Sequence, residues 1–327
     1  MESNRPVNVE TINQNILKLS GGVRGPIYIA AQKMKAEGEN VVLMNVGNPH
    51  GLGQAPLSWV RSVMALVFAP HLLNHPSIHD MFAPDVIETA KFYLEGVTGG
   101  VGAYSDSKGS LFIRYLIQCY YFDSCFGFRE IISDFFVKRD GLPANPDHIF
   151  MTNGASEAVQ MIIKAIIRDE SDAVLAPIPQ YPLYSGTIAL NGGTLVGYYL
   201  KEETVWGLQQ QELERALEEG RGNGINVRAL VIINPGNPTG ACLRRDDIED
   251  IIRFCVTNQL LLMADEVYQT NVYDPNSEFV SCRSVLNQMG EPFVSSLQMA
   301  SFHTVSKGVH GECGLRFLSF FQFLNFF

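Results

Sequence analysis

Residues 227–268 of the chain have the sequence VRALVIINPGNPTGACLRRDDIEDIIRFCVTNQLLLMADEVY. Two apolar runs, at 227–234 and 260–264, enclose a segment at 246–258 whose apolar residues recur at helical spacing. An order of strand, helix and strand, without polar alternation inside the strands, is typical of a parallel sheet covered by helices on both faces. The stretch therefore predicts an α/β fold built around a mainly parallel sheet.

The same alternation extends over the rest of the chain. Outside the first stretch, apolar runs predict strands at 41–46, 148–152, 173–178, 194–200 and 297–302. Periodic segments predict helices at 8–21, 25–37, 85–96, 129–140, 157–168 and 209–219. Sheets of this kind bind ligands at the carboxyl ends of their strands, so the loops that follow the strands are where a site is expected.

The balance of charge limits what the protein binds. The 327 residues carry a formal net charge of -10, and 46% of them are hydrophobic. A chain of this composition has ample material for a core, but it lacks the basic field that nucleic acids and anionic membranes require. The first twenty residues show neither a secretory signal nor a transit peptide, so the expected location is the cytoplasm.

No pattern in the sequence predicts a metal site or a disulfide framework. The six cysteines lie at positions 119, 125, 242, 255, 282 and 313, without zinc-ligand spacing. His71, His75 and His79 recur every fourth position, but Pro76 interrupts the helix that would align them. We expect reduced thiols, and a solvent-facing turn at these histidines.

One lysine stands out by its position. Lys307 follows the strand predicted at 297–302, between hydroxyl side chains and a glycine. Burial of an ammonium group is costly unless its charge is lost or paired. A lysine that forms a Schiff base with an aldehyde avoids that cost, and a lowered pKa is how such an amine reacts near neutral pH. The alternative is a lysine at a strand end with its amine in solvent.

Residues with reactive or binding side chains follow five of the predicted strands. In chain order they are Ser156, Tyr181, Asn237, Asp265 with Tyr268, and Lys307 with Arg316. Taken singly, each is compatible with a helix cap or a turn. Together they suit a ligand with a phosphate for a helix N-terminus and an arginine, a flat ring, a basic ring nitrogen, a phenolic oxygen and an aldehyde. Pyridoxal phosphate has all of these groups.

Several motifs resemble those of a known family. NPGNPTG (234–240), DEVY (265–268) and SFHTVSKG (301–308) resemble the class I pyridoxal-phosphate aminotransferases. GAYSDSKG (102–109), PQYPLYS (179–185) and GECG (311–314) resemble the alanine aminotransferase branch in particular. The likeness covers most of 8–109 and 127–316. It implies a fold-type I transferase with a mainly parallel sheet flanked by helices and, here, an incomplete small domain.

The resemblance also implies a role for each matching residue. Lys307 would bond covalently to the cofactor, Asp265 would pair with its pyridine nitrogen, and Tyr181 would stack on its ring. Asn237 and Tyr268 would bond the ring oxygen. The phosphate would be held by Ala155, Ser156, Thr304 and Arg316, and by Tyr104 of a partner subunit, so a homodimer with shared sites is expected. Gly47 would contact the substrate carboxylate, and no metal is implied.

The activity implied by the resemblance is a ping-pong transamination between small amino acids and 2-oxo acids. For the alanine aminotransferase branch this is L-alanine plus 2-oxoglutarate giving pyruvate plus L-glutamate. The alternatives are another class I activity, such as a glyoxylate-using or aromatic aminotransferase or an aminocyclopropane carboxylate synthase. A further alternative is an inactive fragment that at most binds the cofactor or a second subunit.

The pattern departs from the family in two places. We expect an N-terminal arm and part of a small domain at 1–80 and a large cofactor-binding domain at 81–327, with the C-terminal part of the small domain absent. Within the large domain, the aromatic segment 110–126 is predicted to be an insertion and 317–327 an aberrant tail. Both segments fit the hypothesis of translated non-coding sequence, such as retained introns or a mis-spliced transcript.

Overall fold

The computed structural model describes residues 11–19, 25–43, 47, 49–97, 99–104, 132–142, 144–145, 148–308, 311–313 and 319–324. Two of the predicted features lie outside these residues. They are the insertion at 110–126 and the phosphate ligand Arg316.

A seven-stranded sheet forms the centre of the molecule. Its strands are β1 (Ile149–Thr152), β2 (Asp172–Ile178), β3 (Thr194–Tyr199), β4 (Asn226–Ile233), β5 (Leu261–Asp265), β6 (Met299–Thr304) and β7 (Ser319–Leu324). Their order across the sheet is β1-β7-β6-β5-β4-β2-β3. Neighbours from β3 to β6 pair in parallel, whereas β7 is antiparallel to both β1 and β6. The predicted mainly parallel sheet is confirmed.

Helices cover both faces of this sheet and form a separate N-terminal group. They are α1 (Gln14–Leu17), α2 (Pro26–Ala36), α3 (Ser58–Phe68), α4 (Ile78–Met81), α5 (Pro84–Gly96), α6 (Ile132–Asp140), α7 (Ala155–Ile166), α8 (Leu183–Leu190), α9 (Gln210–Gly222), α10 (Arg245–Asn258), α11 (Cys282–Met289) and α12 (Phe293–Ser296). Short 3₁₀ turns lie at His50–Leu52, Pro70–Asn74 and Glu202–Thr204. No helix within the described ranges is long and apolar enough to cross a membrane.

The two faces of the sheet explain why its strands lack polar alternation. On β4, Leu230 and Ile232 belong to a core shared with α9, α10 and α11, whereas Ala229 and Val231 belong to a core shared with α7 and α8. Every one of these four side chains is buried. Since successive side chains of a strand point to opposite faces, both must be apolar when both are covered.

The N-terminal region differs most from the sequence prediction. Within the described residues 11–19 of the helix expected at 8–21, the helix covers α1, and the described residues 41–43 of the expected strand at 41–46 have no regular structure. Helix α3 was not predicted; it packs with α4 and α5 around a small apolar core that includes Leu66 and Ala90. His71, His75 and His79 are exposed, as expected.

Strand β7 comes from the segment that the sequence suggested was an aberrant tail. Its backbone lies between β1 and β6, with Ser319 opposite both Thr152 and Thr304. The sequence SFFQFL is rich in aromatic residues, which favour strands. Strand β7 therefore lies inside the sheet and pairs with β1 on one side and β6 on the other. The sequence pattern had not indicated this position.

Candidate functional site

The side chains predicted to form the site gather at one edge of the sheet. Strands β2, β4, β5 and β6 are parallel, and β1 runs in the same direction because it and β6 are both antiparallel to β7. At or just beyond the ends of these strands lie Ser156, Tyr181, Asn237, Asp265 with Tyr268, and Lys307. The fold thus brings together residues that lie up to about half the chain apart, as the sequence predicted.

Lys307 lies three residues beyond the end of β6 and is half-buried. Its Nζ is 3.7 Å from Sγ of Cys313 and 5.5 Å from the centre of the Tyr268 ring. Burial acts to lower the pKa of Lys307, but the facing Tyr268, Cys313 and Tyr181 outweigh it, and the pKa is raised. The sequence-based expectation of a lowered pKa is therefore wrong for this arrangement, and the amine is held protonated.

The turn that carries Lys307 folds tightly on itself. Gly308 has a φ of +85° and donates its N–H to Oδ1 of Asn271 at 3.0 Å. A Cβ on Gly311 would lie 3.0 Å from the carbonyl oxygen of Ser306 and 3.3 Å from Cα of Lys307. Both positions therefore favour glycine, the first for its backbone conformation and the second for the close approach. The thiol of Cys313 donates to the Ser306 carbonyl at 3.1 Å and closes the turn.

Asp265 is the last residue of β5, and it is buried. Its Oδ2 accepts a hydrogen bond from the Tyr184 hydroxyl at 2.6 Å, and its Oδ1 accepts one from the Val267 N–H at 3.3 Å. Burial raises the pKa of Asp265 to about 6, although these two hydrogen bonds and the nearby Lys307 oppose the rise. The carboxyl group is consequently ionised at neutral pH and suited to pair with a cation or to accept a hydrogen bond.

Asn237 and Tyr268 form a pair beside Lys307. Nδ2 of Asn237 donates to the Tyr268 hydroxyl at 3.2 Å, although the two residues follow different strands. Next to them, the loop after β2 carries the half-buried Tyr181, and the side-chain oxygen of Gln180 is buried without a hydrogen-bond partner. A buried, unbonded amide oxygen is costly, so this loop is arranged to accept a hydrogen bond that the side chains around it do not supply.

Helix α7 begins at this edge with Ala155 and Ser156. Gly154 precedes it with a φ of 90°, and no side chain caps the first turn. No hydrogen bond joins the hydroxyl of Ser156 to another of the described residues. Free N–H groups at the start of a helix, next to a free hydroxyl, form a site suited to an anion such as a phosphate. Thr304, at the end of β6, already accepts the Ser306 N–H on its Oγ1 at 3.1 Å.

Two residues that the sequence predicted to be part of a site do not contact this group of side chains. Gly47 and Tyr104 are exposed, and no hydrogen bond or ion pair among the described residues joins either of them to the site. The expectation for Tyr104 concerns the site of a second subunit, so its exposure is compatible with that prediction without testing it.

The sequence did not reveal how the Lys307 turn is attached to the N-terminal region. Oε1 of Glu312 accepts hydrogen bonds from the Leu57 N–H and from Nη1 of Arg61, both at 2.7 Å, and lies 3.1 Å from Nε2 of His50. The hydrogen bond from Arg61 lowers the pKa of Glu312, and the Leu57 N–H adds to this against the effect of burial. Glu312 therefore ties the turn to residues 50–61.

Replacing Glu312 by glutamine is expected to loosen this attachment and to lower the melting temperature at pH 7. Because the folded state lowers the pKa of Glu312, its stabilising effect is present above the unfolded pKa of about 4.3 and is lost as the pH falls. The difference in melting temperature from the wild type should therefore shrink as the pH falls below about 4.3, through the lowered pKa of the folded state. Glu218→Gln, at an exposed position of α9, is the control; an equal change in both variants at every pH would contradict the role of Glu312.

Comparisons of the sequence with known proteins point to one family. The family model for aminotransferases of class I and II matches residues 95–316. Glutamate--glyoxylate aminotransferase 1 of Arabidopsis thaliana is 46% identical over 95% of the chain and 62% of its own length. Alanine aminotransferase 1, mitochondrial, of the same plant is 44% identical over 96% of the chain and 57% of its own length. The chain thus spans about three fifths of the length of these relatives.

Solved structures share the fold. An alanine aminotransferase from Pyrococcus furiosus superposes with a TM-score of 0.68 at 20% identity, over 95% of the chain and 63% of that protein. An aminotransferase from Escherichia coli gives a TM-score of 0.68 at 22% identity, over 95% of the chain and 62% of that protein. At these identities the likeness concerns the fold of the chain.

Proposed function

The chain belongs to the class I and II aminotransferases, a family whose cofactor is pyridoxal 5′-phosphate, and from this premise we propose that the site at the sheet edge binds that cofactor and transfers amino groups. The observation that carries the proposal is the grouping of Lys307, Asp265, Tyr268 and Asn237 by direct contact or charge. An amine, a buried carboxylate, a phenol and an amide converge there, and the matching motifs assign each of them to the same cofactor.

The residues present fit pyridoxal phosphate. The uncapped start of α7, with the free hydroxyl of Ser156, suits the phosphate. The buried Asp265 suits a protonated ring nitrogen, and the Asn237–Tyr268 pair suits the ring oxygen. Tyr181 follows β2 at the same edge, where an aromatic side chain suits a flat ring. When bound, pyridoxal phosphate supplies an aldehyde for an amine and a ring that withdraws electrons from the neighbouring carbon.

The chain's own residues then have distinct tasks. Asp265 keeps its negative charge at neutral pH and would so hold a proton on the ring nitrogen of the cofactor. Tyr268 and Asn237, which lie beside Lys307, would orient the cofactor through its ring oxygen. Lys307 is the amine placed to bond the aldehyde and, once free, to move a proton at the substrate's alpha carbon. A lysine held protonated in the resting site, as here, must release its proton before it acts.

We further propose alanine and 2-oxoglutarate as the substrates, giving pyruvate and glutamate. The likeness to alanine aminotransferases over nearly the whole chain supports this choice. The second candidate is glyoxylate as amino acceptor, supported by the 46% identity to a glutamate--glyoxylate aminotransferase. The homodimer with shared sites and the cytoplasmic location remain predictions; the relatives include a protein whose name specifies mitochondria.

The test is a pair of transamination assays on the purified chain supplied with pyridoxal phosphate. Alanine is the donor, and 2-oxoglutarate or glyoxylate is the acceptor; pyruvate, glutamate and glycine are measured. We expect pyruvate with both acceptors and a higher kcat/KM for 2-oxoglutarate. Preference for glyoxylate would establish the second candidate. An absorbance band of bound cofactor without any pyruvate would instead identify the chain as an inactive fragment and overturn the proposal of activity.

A further inference from the structure

A second tyrosine of the motif PQYPLYS, Tyr184, lies behind the site and contacts it through Asp265. Tyr184 belongs to the first turn of α8 and is 0% exposed. Its hydroxyl donates to Oδ2 of Asp265 at 2.6 Å. Of the residues that contact Asp265, Tyr184 is the one whose side chain donates a hydrogen bond to the carboxylate within the described part of the chain.

The position of Asp265 makes such a donor important. A carboxylate buried at the end of β5 loses its hydration, and burial is the largest influence on its pKa, which rises to about 6. The hydrogen bond from Tyr184 opposes that rise. In the same surroundings, the charge of Glu266 raises the pKa of Asp265 further, and Lys307 lowers it.

The two hydrogen bonds also fix the direction of the carboxylate. Tyr184 holds Oδ2 from α8, and the Val267 N–H holds Oδ1 from the loop after β5. The group is therefore anchored at both oxygens, and rotation about its side-chain bond would break one of the two contacts. A short hydrogen bond from a neutral phenol to a buried carboxylate is of the strong, charge-assisted kind.

We propose that Tyr184 is a positioning residue, whose hydroxyl holds the Asp265 carboxylate ionised and in one orientation. Tyr184 itself stays neutral, since burial, Asp265, Tyr198 and Tyr181 all raise its pKa well above the usual value. The consequence for a bound cofactor rests on the proposed function. The coupling between Tyr184 and Asp265 is a property of the protein alone, and it is tested without cofactor.

The first test measures stability against pH in the cofactor-free chain. Tyr184→Phe removes the donor, and Tyr198→Phe is the matched control, because Tyr198 is also buried and donates to the Val231 carbonyl at 2.7 Å. Ionisation of Asp265 destabilises the fold, because its folded pKa of about 6 exceeds the unfolded value, so stability falls as the pH rises from about 3.9 to 6. Without the Tyr184 hydroxyl the pKa of Asp265 in the folded state rises. The stability of the fold then continues to fall up to a higher pH.

The expected result is a pH-dependent difference between the two variants. Urea unfolding at pH 5, 6, 7 and 8 should give parallel curves for the wild type and Tyr198→Phe. For Tyr184→Phe the unfolding constant should rise about fivefold more between pH 6 and 8 than in the wild type if the pKa of Asp265 increases by one unit. Parallel curves for all three proteins would overturn the coupling.

A double variant keeps the test decisive if Tyr184→Phe does not fold. In Tyr184→Phe/Asp265→Asn no carboxylate is left without its donor, so this protein should fold and show no additional pH dependence relative to Asp265→Asn. Folding of the double variant alone would support the coupling. Failure of both variants, with Asp265→Asn folded, would assign Tyr184 a structural role and overturn the proposal.

The second test follows the cofactor site by absorbance and kinetics. In Tyr184→Phe we expect the pH profile of pyridoxal-phosphate affinity and of kcat to shift to higher pH, with little change in KM, while Tyr198→Phe keeps the wild-type profile. An unshifted profile in an active wild-type background would contradict the positioning role. If the wild type binds no pyridoxal phosphate, the proposed function fails, whereas the stability test still decides the coupling.

Discussion

Changing Lys307 to alanine is expected to abolish covalent attachment of pyridoxal phosphate and to reduce transamination by at least about 10²–10⁴-fold, the usual contribution of a positioned proton-transfer group. The physical reason is that Lys307 is the amine that the fold places beside Tyr268 and Cys313 at the carboxyl edge of the sheet. The measurement is borohydride reduction of the cofactor-loaded protein, followed by mass analysis of the peptide that contains residue 307.

Two further variants serve as controls. One tests whether a positive charge at position 307 is enough, and the other tests whether loss of any lysine has the same effect. Lys307→Arg keeps a positive charge near Tyr268 but cannot release a proton near neutral pH, so we expect it to retain non-covalent binding of the cofactor and to lack turnover. Lys164→Ala, at an exposed position near the end of α7, should behave as the wild type. A borohydride-stable adduct on any other lysine of the Lys307→Ala protein would contradict the assignment.

The sequence predicted the sheet, and the edge of it at which the candidate site residues lie, for one physical reason. A strand covered on both faces must be apolar throughout, so the ends of β4 and β5 are visible as abrupt changes to polar residues. Because parallel strands end at the same edge, the side chains just beyond those changes come together. Asn237 and Tyr268 illustrate this, because each follows the end of a parallel strand and a hydrogen bond joins their side chains.

Contacts that depend on packing behind the site were not predictable in this way. Tyr184 follows Tyr181 by three residues, and only the docking of α8 on the sheet directs its hydroxyl to Asp265. The raised pKa of Lys307 likewise depends on three side chains that converge from separate loops. Strand β7 was missed because its aromatic sequence departs from the family pattern, although such a sequence favours a strand.

A buried ionic network lies next to the site and was also invisible in the sequence. Arg139, at the end of α6, donates from Nη1 to Oε2 of Glu266 at 2.9 Å and from Nε to Oδ1 of Asp140 at 2.6 Å. Arg283 donates to Oδ2 of Asp140 at 3.1 Å. Two cations therefore face two anions, and His303 stays neutral because burial, Arg139 and Arg283 lower its pKa well below the usual value. Glu266 directly follows Asp265, so the network fixes the strand end that carries the site.

Replacing Arg139 by alanine is expected to lower the free energy of unfolding by about 3–5 kcal/mol, the typical cost of removing one partner from a buried ion pair. The side chain of Arg139 is 9% exposed, and those of Asp140 and Glu266 are 0% exposed, so the charges of this network are shielded from water. Urea unfolding at pH 7 measures the change. A loss of this size is a large part of the stability of an ordinary domain.

The expected loss comes mainly from Glu266, which is left without its arginine, whereas Asp140 keeps its pair with Arg283, and a matched set of variants isolates that cause. Arg215→Ala removes an arginine from exposed pairs with Glu212 and Glu219 on α9, so it should cost at most about 1 kcal/mol. Combining Arg139→Ala with Glu266→Gln removes one uncompensated charge and should therefore recover part of the stability, although Glu266→Gln alone is destabilising. Equal losses in the Arg139 and Arg215 variants, or strictly additive losses in the double variant, would show that Arg139 contributes packing and not charge compensation.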